Sequence, residues 1–265
     1  MKKTSITLAC LVVILTSVNA QENYFITESE GHFGVLDDLG HELVAPKYDD
    51  IEPYGKLKAN WAKVTYEGKL GLIDESGTEF LKTNLDNIGA FGEYQNDLVI
   101  ITKNGKQGIL TKEGRVLIQP IYEEINKFDL KIKDLAEVKI DGKYGFIDRQ
   151  GVLAIEAVYD KVGNFGTFNK QWIDVEINGK IGFLDRDQKV VISPRYDAVE
   201  QFDLRNKKWA LVKIDKLYGF IDSEGQEIVK VAFDNIQPLD EIYKNKDITI
   251  INKSSNVVNT INDGD

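Results

Sequence analysis

Residues 136–140, Ala-Glu-Val-Lys-Ile, alternate apolar and polar side chains, the period of a strand with one buried face. Asp141-Gly142 follows, a pair suited to a two-residue hairpin turn whose central positions need positive φ. The chain returns through Tyr144-Gly145-Phe146-Ile147, so a second strand is predicted there. Asp148 and Gly151 then bound a turn of type I with a glycine bulge. A third strand is predicted over 152–156, ending before Tyr159-Asp160, and 162–165 is the candidate for a fourth. No amphipathic helix period of useful length occurs, so the expected class is all-β.

The same pattern recurs along the chain. Gly34, Gly71, Gly108, Gly145, Gly182 and Gly219 are each 37 residues apart. The units run about 24–60, 61–97, 98–134, 135–171, 172–208 and 209–245, with a terminal half unit over 246–265. Large side chains keep step. Tyr48, Tyr122, Tyr159, Tyr196 and Phe233 share one column; Tyr24, Trp61, Trp172 and Trp209 share another. A single unit buries too little to fold alone, and periodic aromatic columns are what a continuous core between stacked units requires. Pro46, Pro120 and Pro194 mark alternate units and are expected to end the third strand, since proline removes a ladder donor. Six β-meander units in tandem favour an open, twisted array. The termini duplicate each other instead of complementing, which disfavours the alternative, a closed β-propeller.

The best local example is Asn178-Gly179-Lys180-Ile181-Gly182-Phe183-Leu184-Asp185 followed by Val190-Val191-Ile192-Ser193-Pro194-Arg195-Tyr196-Asp197. This unit resembles the bacterial WG repeat, over roughly residues 24–258. No copy holds the Trp-Gly pair itself: Phe33, Leu70, Gln107, Tyr144, Ile181 and Tyr218 precede the glycines. The resemblance implies a β-repeat architecture and, commonly, export or surface display. It implies no single activity and no catalytic residues.

The N-terminus has its own character. Lys2 and Lys3 precede a mostly apolar run over 6–15, and Val18-Asn19-Ala20 suits cleavage before Gln21. Residues 1–20 are therefore expected to be a secretory signal, with 21–265 as one β-repeat domain. A lipoprotein signal ending at Cys10 fits less well, because the apolar run continues beyond it. The apolar run is short for a membrane span, so no transmembrane segment is expected in the mature chain. The expected location is the periplasm, the extracellular space or the cell surface.

Composition narrows the chemistry. Lys+Arg number 33 against 43 Asp+Glu, a formal charge of −10, which repels nucleic acid. One Cys and two His, His32 and His41, leave little for metal or nucleophilic chemistry. Two acidic columns are prominent: Asp37, Asp74, Asp148, Asp185 and Asp222; and Asp49, Asp86, Glu123, Asp160, Asp197 and Asp234. They lack a calcium-loop pattern, and one carboxylate per unit is unlike a catalytic pair, so turn chemistry is expected. No cofactor, metal or catalytic residue is assigned, and the chain is not expected to be an enzyme.

The segments before each first strand, 55–60, 92–97, 129–134, 166–171, 203–208 and 240–245, keep their length and vary in chemistry. Lys56, Lys58, Lys131, Lys133, Lys170, Arg205, Lys207, Lys208 and Lys244 lie in them and predict a row of basic loops on one edge. The expected function is an exported, non-catalytic binding or scaffold protein whose partner is a protein or an envelope glycan. The alternative is a carbohydrate-binding module of the cell envelope that stacks sugars on Trp61, Trp172 or Trp209.

Overall fold

The computed structural model describes residues 24–203, 208–238, 248–251 and 258–261. Residues 1–20 and much of the terminal half unit lie outside them. Every regular element among the described residues is a strand. The first sheet holds β1 (Phe25–Ser29), β2 (His32–Leu36) and β3 (Glu42–Tyr48). The second holds β4 (Asp50–Ile51), β5 (Trp61–Tyr66), β6 (Lys69–Asp74) and β7 (Glu79–Leu85). The third holds β8 (Asn87–Ile88), β9 (Leu98–Lys103), β10 (Lys106–Thr111) and β11 (Val116–Tyr122). The fourth holds β12 (Glu124–Ile125), β13 (Leu135–Ile140), β14 (Lys143–Asp148) and β15 (Leu153–Tyr159). The fifth holds β16 (Lys161–Val162), β17 (Ile173–Ile177), β18 (Lys180–Leu184) and β19 (Val190–Tyr196). The sixth holds β20 (Ala198–Val199), β21 (Trp209–Ile214), β22 (Leu217–Asp222) and β23 (Glu227–Phe233). The last holds β24 (Asn235–Pro238), β25 (Ile248–Ile251) and β26 (Val258–Ile261).

Among the described residues all pairings are antiparallel, and no sheet closes on itself. The chain divides into two compact units, Met1–Thr83 and Asn84–Asp265. Within the second unit the substantial packing between sheets joins sheets adjacent in sequence, as β11 to β13, β15 to β17 and β19 to β21.

The sheets are out of step with the sequence units. The expected fourth strand of each unit is only two residues long in most copies, and it joins the next sheet. Thus Glu124 and Ile125 of β12 pair with Lys139 and Val138 of β13. The variable loops 55–60, 92–97, 129–134 and 166–171 therefore lie inside a sheet, between its short and its first long strand. The core follows the same logic. Ile109, Ile118 and Tyr122 of one sheet pack with Ile125, Ala136, Val138 and Ile147 of the next. Phe183, Ile192 and Tyr196 meet Ala210, Val212 and Ile221 in the same way. In the first unit Val35, Val44 and Tyr48 meet Ile51, Ala62, Val64 and Ile73.

The third strands are longer than expected, and they explain the glycine column. Tyr144 pairs with Tyr159 while Phe146 pairs with Ile155, so two extra residues of β15 bulge opposite Gly145. A Cβ on Gly145 would lie 2.6 Å from the Ile155 carbonyl and 2.7 Å from Ala157 backbone atoms. Only a residue without a side chain lets the bulged strand approach this closely. The prolines sit on this bulge. Pro46, Pro120 and Pro194 lie inside β3, β11 and β19 and do not end them. These are outer strands of their sheets, and a bulged outer position does not need the missing amide.

Candidate functional site

The acidic columns are structural. Asp74 Oδ1 accepts the amides of Ser76 at 2.9 Å and Thr78 at 3.0 Å. Asp148, Asp185 and Asp222 repeat this arrangement with both amides at 2.9 Å. The second column staples consecutive hairpins. Lys180 Nζ donates to Asp197 at 2.6 Å, and Lys143 donates to Asp160. Lys106 and Glu123 form the same pair at 3.2 Å. Each carboxylate also accepts an amide from the next hairpin turn: Gly142 to Glu123 at 3.3 Å and Asn178 to Asp160 at 2.7 Å. The Lys143 bond first, and the Asn178 amide next, hold the Asp160 carboxyl below its usual range. Lys180 and the Asp215 amide do the same for Asp197. Among the described residues no group of three or more His, Cys, Asp or Glu is placed to hold a metal ion.

The tryptophans belong to the core. Trp61 and Trp172 are each only 4% exposed, and Trp209 is half-buried. The Trp172 ring lies 5.2 Å from Phe183 and 5.1 Å from Phe202. His41 Nδ1 is 2.8 Å from its turn partner Asp37, and His32 lies 3.8 Å from Asp49.

The predicted basic edge is only partly an edge. Lys133, Lys170 and Lys208 are exposed, as expected. Lys56 is exposed and pairs with Glu52 at 3.3 Å, and Lys58 Nζ lies 4.4 Å from the Trp61 ring centroid. Arg205, Lys207 and Lys244 lie outside the described residues. Lys131 differs in kind. Its ammonium donates to Glu137 at 2.6 Å and to the Val162 carbonyl at 2.8 Å. Glu137 is 5% exposed and also accepts from Asn126 at 3.0 Å. Lys131 is therefore an internal counter-charge. A carboxylate on the inward face of β13 draws it away from the surface, whereas Lys133, two residues on, stays outside.

A concave surface lies nearby, in the second unit. A groove of about 720 Å³ is walled by the loop before β9, the turns after β10 and β14, and the segment after β12. Tyr94 anchors the loop by donating to the Asn126 carbonyl at 2.7 Å, and burial holds its hydroxyl pKa well above the usual range. Lys112 closes one side through Asp97 at 2.8 Å. Arg149 closes the other through Asp129 at 2.5 Å and Asp134 at 3.2 Å, with its guanidinium 5.1 Å from the Phe128 ring centroid. Two further cations line the groove, Arg115 and Lys127. Both are exposed, and neither pairs with a carboxylate among the described residues. A smaller cavity of about 370 Å³ shares Tyr94 and Lys127 with it.

Neither Arg115 nor Lys127 lies in a variable loop, so a search confined to those loops passes them by. The columns single out Lys127, the one cation of its column, while Arg115 shares its column with Lys189. Arg115 stands where other units have His41, Thr78, Val152, Lys189 and Gln226; Lys127 stands where they have Pro53, Ala90, Asn164, Gln201 and Pro238.

No curated protein matches the chain in sequence. Among solved structures, BamB from Moraxella catarrhalis is 12% identical, covering 89% of this chain and 80% of that one, with a TM-score of 0.27. The dihydro-heme d1 dehydrogenase NirN in complex with DHE is 12% identical, and the match spans 91% of this chain but 63% of NirN, with a TM-score of 0.27. A eukaryotic initiation factor is 14% identical over 91% of this chain and 74% of that one, with a TM-score of 0.28. The family model for the WG containing repeat matches six times, over residues 33–69, 71–106, 108–144, 144–180, 181–218 and 218–241. With six tandem matches over most of its length, the chain belongs to the WG-repeat family.

Proposed function

We propose that this is an exported, non-catalytic binding or scaffold protein that presents its repeat surface to a protein partner. The observation that carries the reading is the contrast between framework and loops. Turn aspartates, hairpin staples and inter-sheet cores recur from unit to unit, while loops of constant length vary in chemistry on that frame. Binding residues are characteristically placed on loops held by a rigid scaffold. Lys133, Lys170 and Lys208 supply exposed positive charge on this surface of an acidic chain. The carbohydrate alternative relied on flat exposed tryptophans, and burial of Trp61 and Trp172 removes that platform. The basic n-region, apolar run and small residues before Gln21 support export to the periplasm or cell surface.

Cell fractionation with N-terminal sequencing, and affinity capture from the native envelope, test the reading. A chain starting near Gln21 should retain one stoichiometric protein partner and lose it when Lys133, Lys170 and Lys208 are changed together to Glu. Cytoplasmic protein with Met1 intact, or capture indifferent to the charge reversal, would overturn it.

A further inference from the structure

We propose that the groove beside Tyr94 is a binding site for an acidic peptide segment, with Arg115 and Lys127 receiving its carboxylates. The proposal deepens the repeat-surface reading and rests on it. The cations of the framework around the groove are matched: Lys106, Lys143 and Lys180 are held by the staple carboxylates, Lys112 by Asp97, Arg149 by Asp129 and Asp134. Arg115 and Lys127 have no carboxylate partner among the described residues, a state they share with Lys133 and Lys170, but these two line one concave surface. Arg115 offers a planar fork that takes a carboxylate through two parallel bonds, and Lys127 offers a compact point charge in the same groove. The groove's volume falls within the range of specific ligand sites, large enough for several side chains.

The walls favour a peptide over a sugar chain. Phe128 is 4% exposed under the Arg149 guanidinium, and Tyr94 is 8% exposed with its hydroxyl committed to Asn126. Neither presents an open ring face for a sugar to stack on. Two carboxylates line the groove: Asp97, which is paired with Lys112, and Glu113, which is exposed next to Lys112 and works against an acidic ligand. Its charge sets the polarity of the site. Acidic side chains are accepted near Arg115 and Lys127 and discouraged near Glu113.

Fluorescence polarisation on the full chain tests this, with labelled hexaglutamate as probe at low ionic strength. Hexaglutamine, hexalysine and a uronate oligosaccharide serve as comparisons. Hexaglutamate should bind, weaken with added salt, and bind more tightly to Glu113→Gln. Arg115→Gln and Lys127→Gln should each weaken it about tenfold, the size of one charge-assisted bond. Lys133→Gln should stay within about twofold, because Lys133 does not line the groove. Thermal melts should be unchanged, since neither substituted cation takes part in an ion pair of the fold. Hexaglutamate that fails to bind, or binds Arg115→Gln and Lys127→Gln as tightly as the parent, would overturn the proposal. A uronate that binds more tightly, with the same dependence on Arg115, would assign the groove to a glycan instead. If native partner capture persists in the Arg115→Gln, Lys127→Gln double variant while the loop charge reversal abolishes it, the groove assignment falls and the repeat-surface reading stands.

Discussion

Replacing Gly145 with Ala adds one methyl group where the bulged third strand passes over the glycine column. The new Cβ would lie 2.6 Å from the Ile155 carbonyl oxygen and 2.7 Å from the Ala157 N and Cα. Ordinary contact needs roughly 0.8 Å more. The atoms met are backbone, so no side chain can swing aside. The bulged segment is pinned on both flanks, by Tyr144 against Tyr159 and Phe146 against Ile155. Overpacking of this kind costs ~1–3 kcal/mol, and backbone contact places it at the upper end. Against this, Ala lowers the entropy of the unfolded chain, worth ~0.4–1 kcal/mol. A net loss of about 2 kcal/mol remains, which for a chain of this size lowers Tm by ~4–8 °C. Thermal melts followed by circular dichroism measure it. Gly142→Ala is the informative control, because nothing lies within 4 Å of its Cβ and only its φ of 75° is unfavourable. That change should cost about 1 kcal/mol, the ordinary left-handed penalty. The column supplies internal replicates: Gly108 and Gly182 would meet the Pro120 and Pro194 nitrogens at 2.7 and 2.5 Å. A Gly145→Ala melt no lower than that of Gly142→Ala would refute the bulge argument.

Three other outcomes follow from the same geometry. Lys131→Ala should cost ~3–5 kcal/mol, because it strands Glu137 in the interior; Lys133→Ala should cost almost nothing, and equal melts would return Lys131 to the surface row. Asp160 and Asp197 are held below their unfolded pKa, so their contribution is complete above the ordinary Asp value of 3.8 and is lost as pH falls through the lowered one. Asp160→Asn should therefore lower Tm at neutral pH and converge with the parent in acid; a deficit undiminished in acid would count against the staple. Trp172→Ala should destabilise by ~3–5 kcal/mol as a core truncation; a folded variant with unchanged Tm would reopen the stacking-platform reading.

The fold was legible because its periodicities are local. Alternation over 136–140, the Asp141-Gly142 turn and the Asp148 turn each depend on a few consecutive residues, and β13, β14 and the connections between them lie where those signals place them. What escaped was non-local. Nothing in 162–165 tells whether a short strand pairs backward or forward, because two residues carry no period. Forward pairing is set by the Asp160 staple, which ties the start of the short strand to the next hairpin at Asn178. The prolines misled for a related reason. Proline is a breaker only where its amide is needed, and the bulge over Gly108 makes Pro120 tolerable inside β11. The candidate site was less legible than the fold. Lys131 and Lys133 look alike in a variable loop; Glu137 on the next strand decides which one turns inward.

The offset between sequence unit and sheet has a consequence for how such a chain acquires binding. The loops 55–60, 92–97, 129–134 and 166–171 each leave a short strand and enter the first long strand of the same sheet, so both ends of each are fixed in one framework. The groove shows what this permits. Its four walls come from two consecutive sheets, yet each wall is held by contacts of its own: Tyr94 by Asn126, Lys112 by Asp97, Arg149 by Asp129 and Asp134. Arg115 and Lys127 take no part in those contacts. They can change without loosening the walls, and the walls recur with other residues in the same columns. Arg186 on the following turn reaches the Gln171 side chain at 3.1 Å and the Lys170 carbonyl at 2.9 Å, much as Arg149 reaches Asp134. Specificity in this architecture is therefore set by the residues that the repeat does not need.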